Sequence, residues 1–375
     1  MFFRLFFNKW LLNCVFCIVI LILMSCQSSQ DSNSKTQFSS NVTLKNNNFL
    51  VKYAKHFGIL HKNSSAHFFV TENFKDTIFY EINKTYTRIA VMGTIPAFQL
   101  YMLDAIDKIV AIDDFKYYTN SKIVNKIKQK DIVEIMPNLQ WNYELLISIK
   151  PQLIVTYSDL RENVNVKQLL QKHSIQHLLY LDYLEEHPLA RAEWIKVMGL
   201  FTGKYEKAEE IFNDIEQKYL ELKQLTDTIS KRPKILTEVM YGDVWYIAGN
   251  ASYISQLIKD SGGKYAFEFH SYNNTRPYSF EYVLKHARDA DYWIHLHQFC
   301  SLEQMKKENR KYVLFKAFQE RKCFNNNKIQ NEYGYNDFYE SGICQPHLIL
   351  KDLISILHPD IFSNDTSLNY YYRLQ

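Results

Sequence analysis

The sequence predicts two Rossmann-like α/β lobes joined by one long helix. Three observations carry that expectation. Short apolar strands alternate with short helices through residues 49–186 and again through 233–375, the rhythm of parallel sheets covered on both faces. Between them, residues 187–232 keep one helical periodicity from Pro188 to Pro233. The chain is 375 residues long and 47% apolar, enough for two lobes rather than one.

The N-terminal segment stands apart from that pattern. Arg4 and Lys9 precede an apolar run from Trp10 to Met24, which ends in Ser25 and Cys26. Residues 1–26 read as a secretory signal, and the sequence LMSC resembles the lipobox of bacterial lipoproteins, in which Cys26 would be acylated. Residues 27–48 are polar and of low complexity, a flexible tether with nothing to pack. Gln27 is not the aspartate that often retains lipoproteins in the inner membrane, which favours the outer one, though both stay open as anchoring sites. Cys300, Cys323 and Cys344 would face an oxidising compartment, so one disulfide plus one buried thiol is expected.

In the first lobe, Ala66–Val70 and Asp76–Ile82 alternate as hairpin strands. Arg88–Gly93 is then a buried strand, followed by a tight loop, a helix over Ala97–Ile106 and a strand over Lys108–Ile112. Glu144–Lys150 and Gln152–Tyr157 repeat helix and strand, as do Val166–His173 and His177–Leu181. In the connecting stretch, Ile195, Met198, Phe201, Tyr205, Ala208, Phe212, Ile215 and Tyr219 fall along one side. As a single rod of about 40 residues it would measure about 60 Å, and Gly199 and Gly203 are its weak points. The second lobe resumes with a strand at Lys234–Met240, a loop over 241–252 and a helix from Tyr253. A helix at Phe280–Ala287, a strand at Asp291–Leu296, a helix at Tyr312–Phe318 and a final helix from Pro346 complete it.

Charge and motifs exclude several function classes. Net charge is +4, with no Lys/Arg block to follow a nucleic-acid backbone. There is no nucleophile elbow, phosphate loop, zincin helix or dinucleotide fingerprint, so an enzyme is not expected. His295 and His297, two apart on an expected strand, share a face, but no acidic residue or further histidine nearby is expected to complete a metal set.

The lipobox-like start, the lobe–helix–lobe order, the segment 88–112 and the stretch ELLISIKPQLIV together resemble the substrate-binding proteins of ABC importers for iron-siderophores, haem and vitamin B12. That is the class III periplasmic binding protein type, with a rigid interdomain helix. Segments 242–263 and 336–362 resemble the lipoprotein branch common in Bacteroidetes-type bacteria. The resemblance implies a monomer with no intrinsic cofactor, bound to a ferric siderophore, haem or cobalamin. It also implies an ABC permease dimer as partner, an outer-membrane TonB-dependent receptor system upstream, and a periplasm-facing lipid anchor. In that family a glutamate on each lobe docks into arginine pockets of the permease. The matching positions are Glu144 and Glu281, each at the start of a helix that leads into a strand. Taken alone, each carboxylate is equally an idle helix-start anion favoured by the dipole.

The ligand is expected between the lobes, where loops leave the carboxyl ends of the strands. Candidates are Thr94, Tyr117, Trp141 and Tyr157 in the first lobe and Tyr241, Trp245, Arg276 and Tyr278 in the second. Trp245, in a glycine-flanked loop, could lie flat on a porphyrin, corrin or catechol face, or cover the core. Arg276 could neutralise carboxylates of the ligand. Gln152 replaces the usual acidic residue of the family's KPD motif, and HARDAD carries one residue more before its strand than SIKPQ, which loosens the repeat symmetry. A stand-alone envelope scavenger of the same ligands is the alternative function, and an envelope enzyme a more remote one. Replacing Cys26 with Ala is expected to abolish acylation and release soluble protein. A C26A protein that still sediments with membranes, with no lipid mass on the wild type, would contradict the lipobox reading.

Overall fold

Residues 51–62, 65–71, 77–272, 274–362 and 367–375 are described by a computed structural model. The chain divides after Asn48, and the fold below is that of the unit from Phe49 to Gln375. The segments expected to be signal and tether, with Cys26, lie outside the described residues.

Strands β1 (Phe57–Lys62), β2 (Ser65–Thr71) and β3 (Thr77–Ile82) form an antiparallel meander. The first lobe proper follows as β4 (Ile89–Val91), α1 (Thr94–Met102), β5 (Ile109–Ile112), α2 (Ser121–Lys128), β6 (Val133–Glu134), α3 (Tyr143–Ser148), β7 (Leu153–Thr156), α4 (Val164–Lys172) and β8 (Gln176–Leu179). Its strands are all parallel in the order β6-β5-β4-β7-β8. The central strands β4 and β7 are buried along their whole length, which is why they read as unbroken apolar runs rather than alternating ones. Asn120, Asn142 and Asn163 cap α2, α3 and α4 by accepting first-turn N–H groups.

The connecting stretch is helical but not one rod. It consists of α5 (Pro188–Glu193), α6 (Ile195–Thr202) and α7 (Tyr205–Asp227). Gly203, at φ +71, ends α6 in the left-handed conformation that helix termini favour. The chain then folds back, and Gly199 lets α6 lie against α7, since a Cβ there would stand 2.6 Å from that of Ala208. The expected length of about 60 Å is therefore too great: the 23 residues of α7 span roughly 35 Å. Helix α7 still ties both lobes. Lys52 Nζ and the Tyr53 hydroxyl meet Glu216 at 2.5 and 2.8 Å, while the Tyr219 hydroxyl donates to Asp260 at 2.8 Å.

The second lobe contains β9 (Lys234–Thr237), β10 (Met240–Tyr241), β11 (Val244–Ala248), α8 (Tyr253–Asp260), β12 (Lys264–Tyr265), β13 (Thr275–Tyr278), α9 (Phe280–Ala287) and β14 (Tyr292–Ile294). It closes with α10 (Leu302–Glu308), α11 (Lys316–Gln319), β15 (Cys323–Asn325), α12 (Ser341–Cys344), α13 (Pro346–Leu357) and β16 (Tyr372–Arg373). The sheet order is β12-β9-β14-β15-β16, parallel except for β16, and β10-β11-β13 form a small antiparallel sheet. The two-lobed α/β architecture is thus as expected.

Two expectations fail here. Residues 241–252 are not a loop: Gly242 (φ +58) and Asp243 turn a two-residue hairpin between β10 and β11. Strand alternation then points Trp245 inward, 0% exposed, stacked on Trp293 at 5.6 Å and edge-on to Tyr312 at 6.0 Å. Its indole N–H donates to the Thr237 carbonyl at 3.1 Å. Trp245 is therefore a core residue and has no face free for a ligand. The three cysteines are all free thiols, Cys300 exposed and the other two buried, so no disulfide forms among them. Replacing Trp245 with Ala should cost about 3–5 kcal/mol by chemical denaturation, because the void left in this aromatic cluster cannot collapse.

Candidate functional site

A ligand crevice in such sheets opens beyond the carboxyl ends of the strands, where the strand order reverses. In the first lobe that point lies between β4 and β7, and the residues that follow are Gly93 and Tyr157. Gly93 has φ +129 and would bring a Cβ within 2.3 Å of the Tyr157 ring, so glycine is required for this approach. In the second lobe it lies between β9 and β14. Their register pairs Thr237 with Ile294, which sets Glu238 beside His295.

A cavity of about 610 Å³ opens here with walls from both lobes. Tyr183, Tyr253, Phe338 and Tyr339 supply rings. Glu185, Glu186, Glu238, Arg191 and His295 supply polar groups. The Glu185 carboxylate is already occupied by the Lys55 and His56 N–H groups at 3.0 Å and the Trp194 indole at 3.2 Å. Arg191 lies 4.7 Å above the Tyr253 ring and donates to the Tyr183 carbonyl at 2.8 Å, so its charge is held at the rim. Asp182, the chain neighbour of Tyr183, is buried, and among the described residues neither of its carboxylate oxygens meets a hydrogen-bond partner. Burial pushes it up to about 7, against the opposing pull of Arg191. The Tyr253 hydroxyl is likewise unpartnered among the described residues.

Glu238, His295 and His297 all adopt left-handed backbone, at φ 64, 60 and 52. Three such non-glycine residues close together mark strained backbone at these strand ends, and two of them, Glu238 and His295, line the cavity. His297 Nε2 donates to Glu238 at 2.5 Å, His295 Nδ1 stands 3.5 Å from the other oxygen, and His295 Nε2 meets the Tyr371 hydroxyl at 2.6 Å. Burial would raise Glu238, but hydrogen bonds from His295 and His297 outweigh it and hold the carboxyl at about 2. The Glu238 hydrogen bond in turn raises His297, against burial. Both histidines lie beyond the end of β14 rather than on it, and Glu238 is the acidic neighbour that sequence proximity does not reveal. Among the described residues no three His, Cys, Asp or Glu side chains converge as a metal set.

None of the eight residues expected in the cleft is among those lining this cavity. The Tyr157 ring stands 5.9 Å from that of Tyr183, which lines the cavity. Thr94 begins α1, immediately after Gly93. Tyr117 is covered edge-on by Tyr335 at 4.9 Å, and Trp141 stacks on Tyr143 at 5.6 Å. Tyr241 is 73% exposed on the small sheet. Arg276 lies 4.0 Å above the Tyr272 ring, and Tyr278 stacks on Tyr282 at 4.4 Å. Glu144 and Glu281 are both exposed, one in each lobe. Each is the second residue of a helix capped by Asn142 or Ser279, and Glu281 pairs with Lys311 at 3.3 Å.

A family model described as "Periplasmic binding protein" matches residues 89–329. An uncharacterized lipoprotein of Methanocaldococcus jannaschii is 23% identical over 399 residues, covering 93% of this chain and 92% of its own. A periplasmic binding protein from Veillonella parvula superposes with a TM-score of 0.61 at 15% identity, over 79% of this chain and 98% of that one. A periplasmic haem-binding protein of Vibrio cholerae does so with a TM-score of 0.53 at 15% identity, over 70% and 98%. A possible iron-binding protein from Staphylococcus epidermidis gives 0.56 at 18% identity, over 73% and 100%.

The Glu238–His297 pair sets a pH window. The raised His297 contributes stability that is complete below its ordinary value of 6.5 and lost as pH rises through its folded value. The lowered Glu238 contributes above its ordinary 4.5 and loses that contribution as pH falls through about 2. Denaturant titrations of wild type and Glu238→Gln should therefore differ most between about pH 4.5 and 6.5 and differ less as pH rises through the folded value of His297. Partial exposure limits the difference to roughly 1 kcal/mol.

Proposed function

The chain belongs to the periplasmic binding protein family, and on that premise we propose that it is the substrate-binding lipoprotein of an ABC importer, capturing an iron-siderophore, haem or cobalamin in the cell envelope. As a member of a family of binding proteins it is not an enzyme. The observation that carries the proposal is the cavity of about 610 Å³ at the junction of the two lobes, with aromatic walls from both. A chelate brings its own metal ligands, so its host need supply only shape, stacking and counter-charge. The likeness to an iron-binding and a haem-binding protein supports that ligand class.

Residues 1–26 would be the lipoprotein signal and 27–48 the tether, with Cys26 acylated. The relative named a lipoprotein supports that anchor. Residues 49–186 and 233–375 would be the lobes and 187–232 their helical connection. The Bacteroidetes-type branch rests on the likeness of segments 242–263 and 336–362 alone. Tyr157 and Arg276 would extend the ligand surface beyond the cavity.

Delivery would use Glu144 and Glu281 as paired anions for the two halves of a permease, with a TonB-dependent receptor system supplying ligand from outside. Their matched placement after a helix cap, one in each lobe, supports this role. The exposed Lys311 partner is no obstacle, because solvent screens a surface ion pair of this kind. An ion pair at such an interface gives register and specificity more than affinity.

Purification from the native host followed by an absorption spectrum should reveal haem, corrinoid or ferric-siderophore bands. Calorimetry against the same ligands and free divalent metals should give tight binding of a chelate only. Tight binding of a bare metal with no response to any chelate would overturn the reading. The double variant Glu144→Ala/Glu281→Ala should keep wild-type ligand affinity while uptake through the permease falls about tenfold or more, as expected when interface charges are removed.

A further inference from the structure

The aromatic wall formed by Phe338 and Tyr339 belongs to the second lobe, yet its flanking residues are bonded to the first. The Thr119 hydroxyl donates to Asp337 Oδ1 at 2.6 Å and also contacts the Glu340 carboxylate. The Thr119 N–H donates to Glu340 at 2.5 Å, and the Asn120 N–H lies 3.3 Å from the same oxygen. Glu340 is 1% exposed, and among the described residues the hydrogen bonds to its carboxylate come from Thr119 and Asn120 of the opposite lobe. It sits at the N-terminus of α2, whose first-turn donors Asn120 caps, and there burial pushes its carboxyl up to about 7 against the opposing hydrogen bonds from Thr119 and Asn120. Asp337 is held from the other side by the Ser341 hydroxyl at 2.5 Å, and Ser341 by the Tyr370 hydroxyl at 3.0 Å.

The preceding segment crosses the same boundary. Asn331 Nδ2 donates to the carbonyls of Lys116 and Tyr118 at 2.6 and 3.0 Å. Tyr333 and Tyr335 pack edge-on against Phe115 and Tyr117 at 5.3 and 4.9 Å. The connecting helices are thus not the sole tie between the lobes. Over residues 337–343, side chains divide between two tasks: Asp337 and Glu340 reach Thr119, while Phe338, Tyr339 and Ile343 line the cavity.

We propose that Asp337 and Glu340 are positioning residues of the cleft: by gripping Thr119 and Asn120 across the lobe boundary they fix the Phe338–Tyr339 wall and set the width that a ligand meets. This rests on the reading of the cleft as the ligand site, but the grip itself is measurable without any ligand.

Thr119→Val keeps the size of the side chain and removes both hydroxyl contacts, whereas Thr119→Ser restores the hydroxyl. Hydrogen–deuterium exchange on the full chain should be about tenfold faster in T119V over 117–125 and, in the other lobe, over 337–344, the scale of losing one charge-assisted hydrogen bond. Thr119→Ser should return both segments to wild-type rates, and exchange in β7 and β14 should not change. Unchanged exchange over 337–344 in T119V overturns the proposal. Should T119V not fold, Glu340→Gln, which keeps the shape and loses the charge, is held to the same two segments. Hemin and cyanocobalamin, as probes of different size, should shift in affinity ratio by threefold or more in T119V, with rescue in T119S. A constant ratio despite faster exchange refutes the control of width. Failure of both probes to bind the wild type counts against the importer cargo, while exchange still decides the grip.

Discussion

A continuous apolar core runs from the sheet of the first lobe, through the connecting helices, into the sheet of the second. Val155, Trp194, Phe212, Trp245 and Leu353 all belong to one buried cluster. Everything else depends on that continuity, because lobes that share a core cannot part without opening it to water. Two buried carboxylates fix its upper edge. Glu193 accepts the N–H groups of Lys52, Tyr53 and Ala54 at 2.8–3.0 Å and holds Lys196 Nζ at 2.8 Å. Glu185 does the same for Lys55 and His56. A buried charge so completely satisfied locks the incoming chain to the start of the helical connection.

This rigidity shapes the site. Glu238 and His295 in its lining, and His297 bonded to Glu238, all have left-handed backbone, and such conformations persist only where the surroundings over-determine them. Asn325 does part of that work, accepting from the Leu296 N–H at 2.7 Å and donating to the His297 and Phe299 carbonyls at 2.8 and 2.9 Å. Trp245, lost to the cleft, has a different use. Packed within 6.4 Å of Phe280, it seats the helix that presents Glu281.

The elements of the first lobe were largely legible, because parallel strands buried on both faces are written as short apolar runs and their helices as capped amphipathic ones. The connection was legible as helix but not as a hairpin of helices. Gly199 and Gly203 break the pattern without saying whether the chain continues or folds back. Trp245 was misplaced because glycine at 242 suggested a loop, although Tyr-Gly-Asp-Val before an alternating run is also a hairpin signal.

The sequence by itself determined the two lobes, the helical tie, the missing catalytic motifs and the paired helix-start glutamates, because each is a local pattern of periodicity, capping or charge. Only the tertiary structure decided what the cleft is made of. Glu238 meets His295 through the pairing of β9 with β14, and Thr119 meets Glu340 across the lobe boundary. Such contacts join residues far apart in the chain, and no local periodicity encodes which strand ends will face each other once the sheets are assembled.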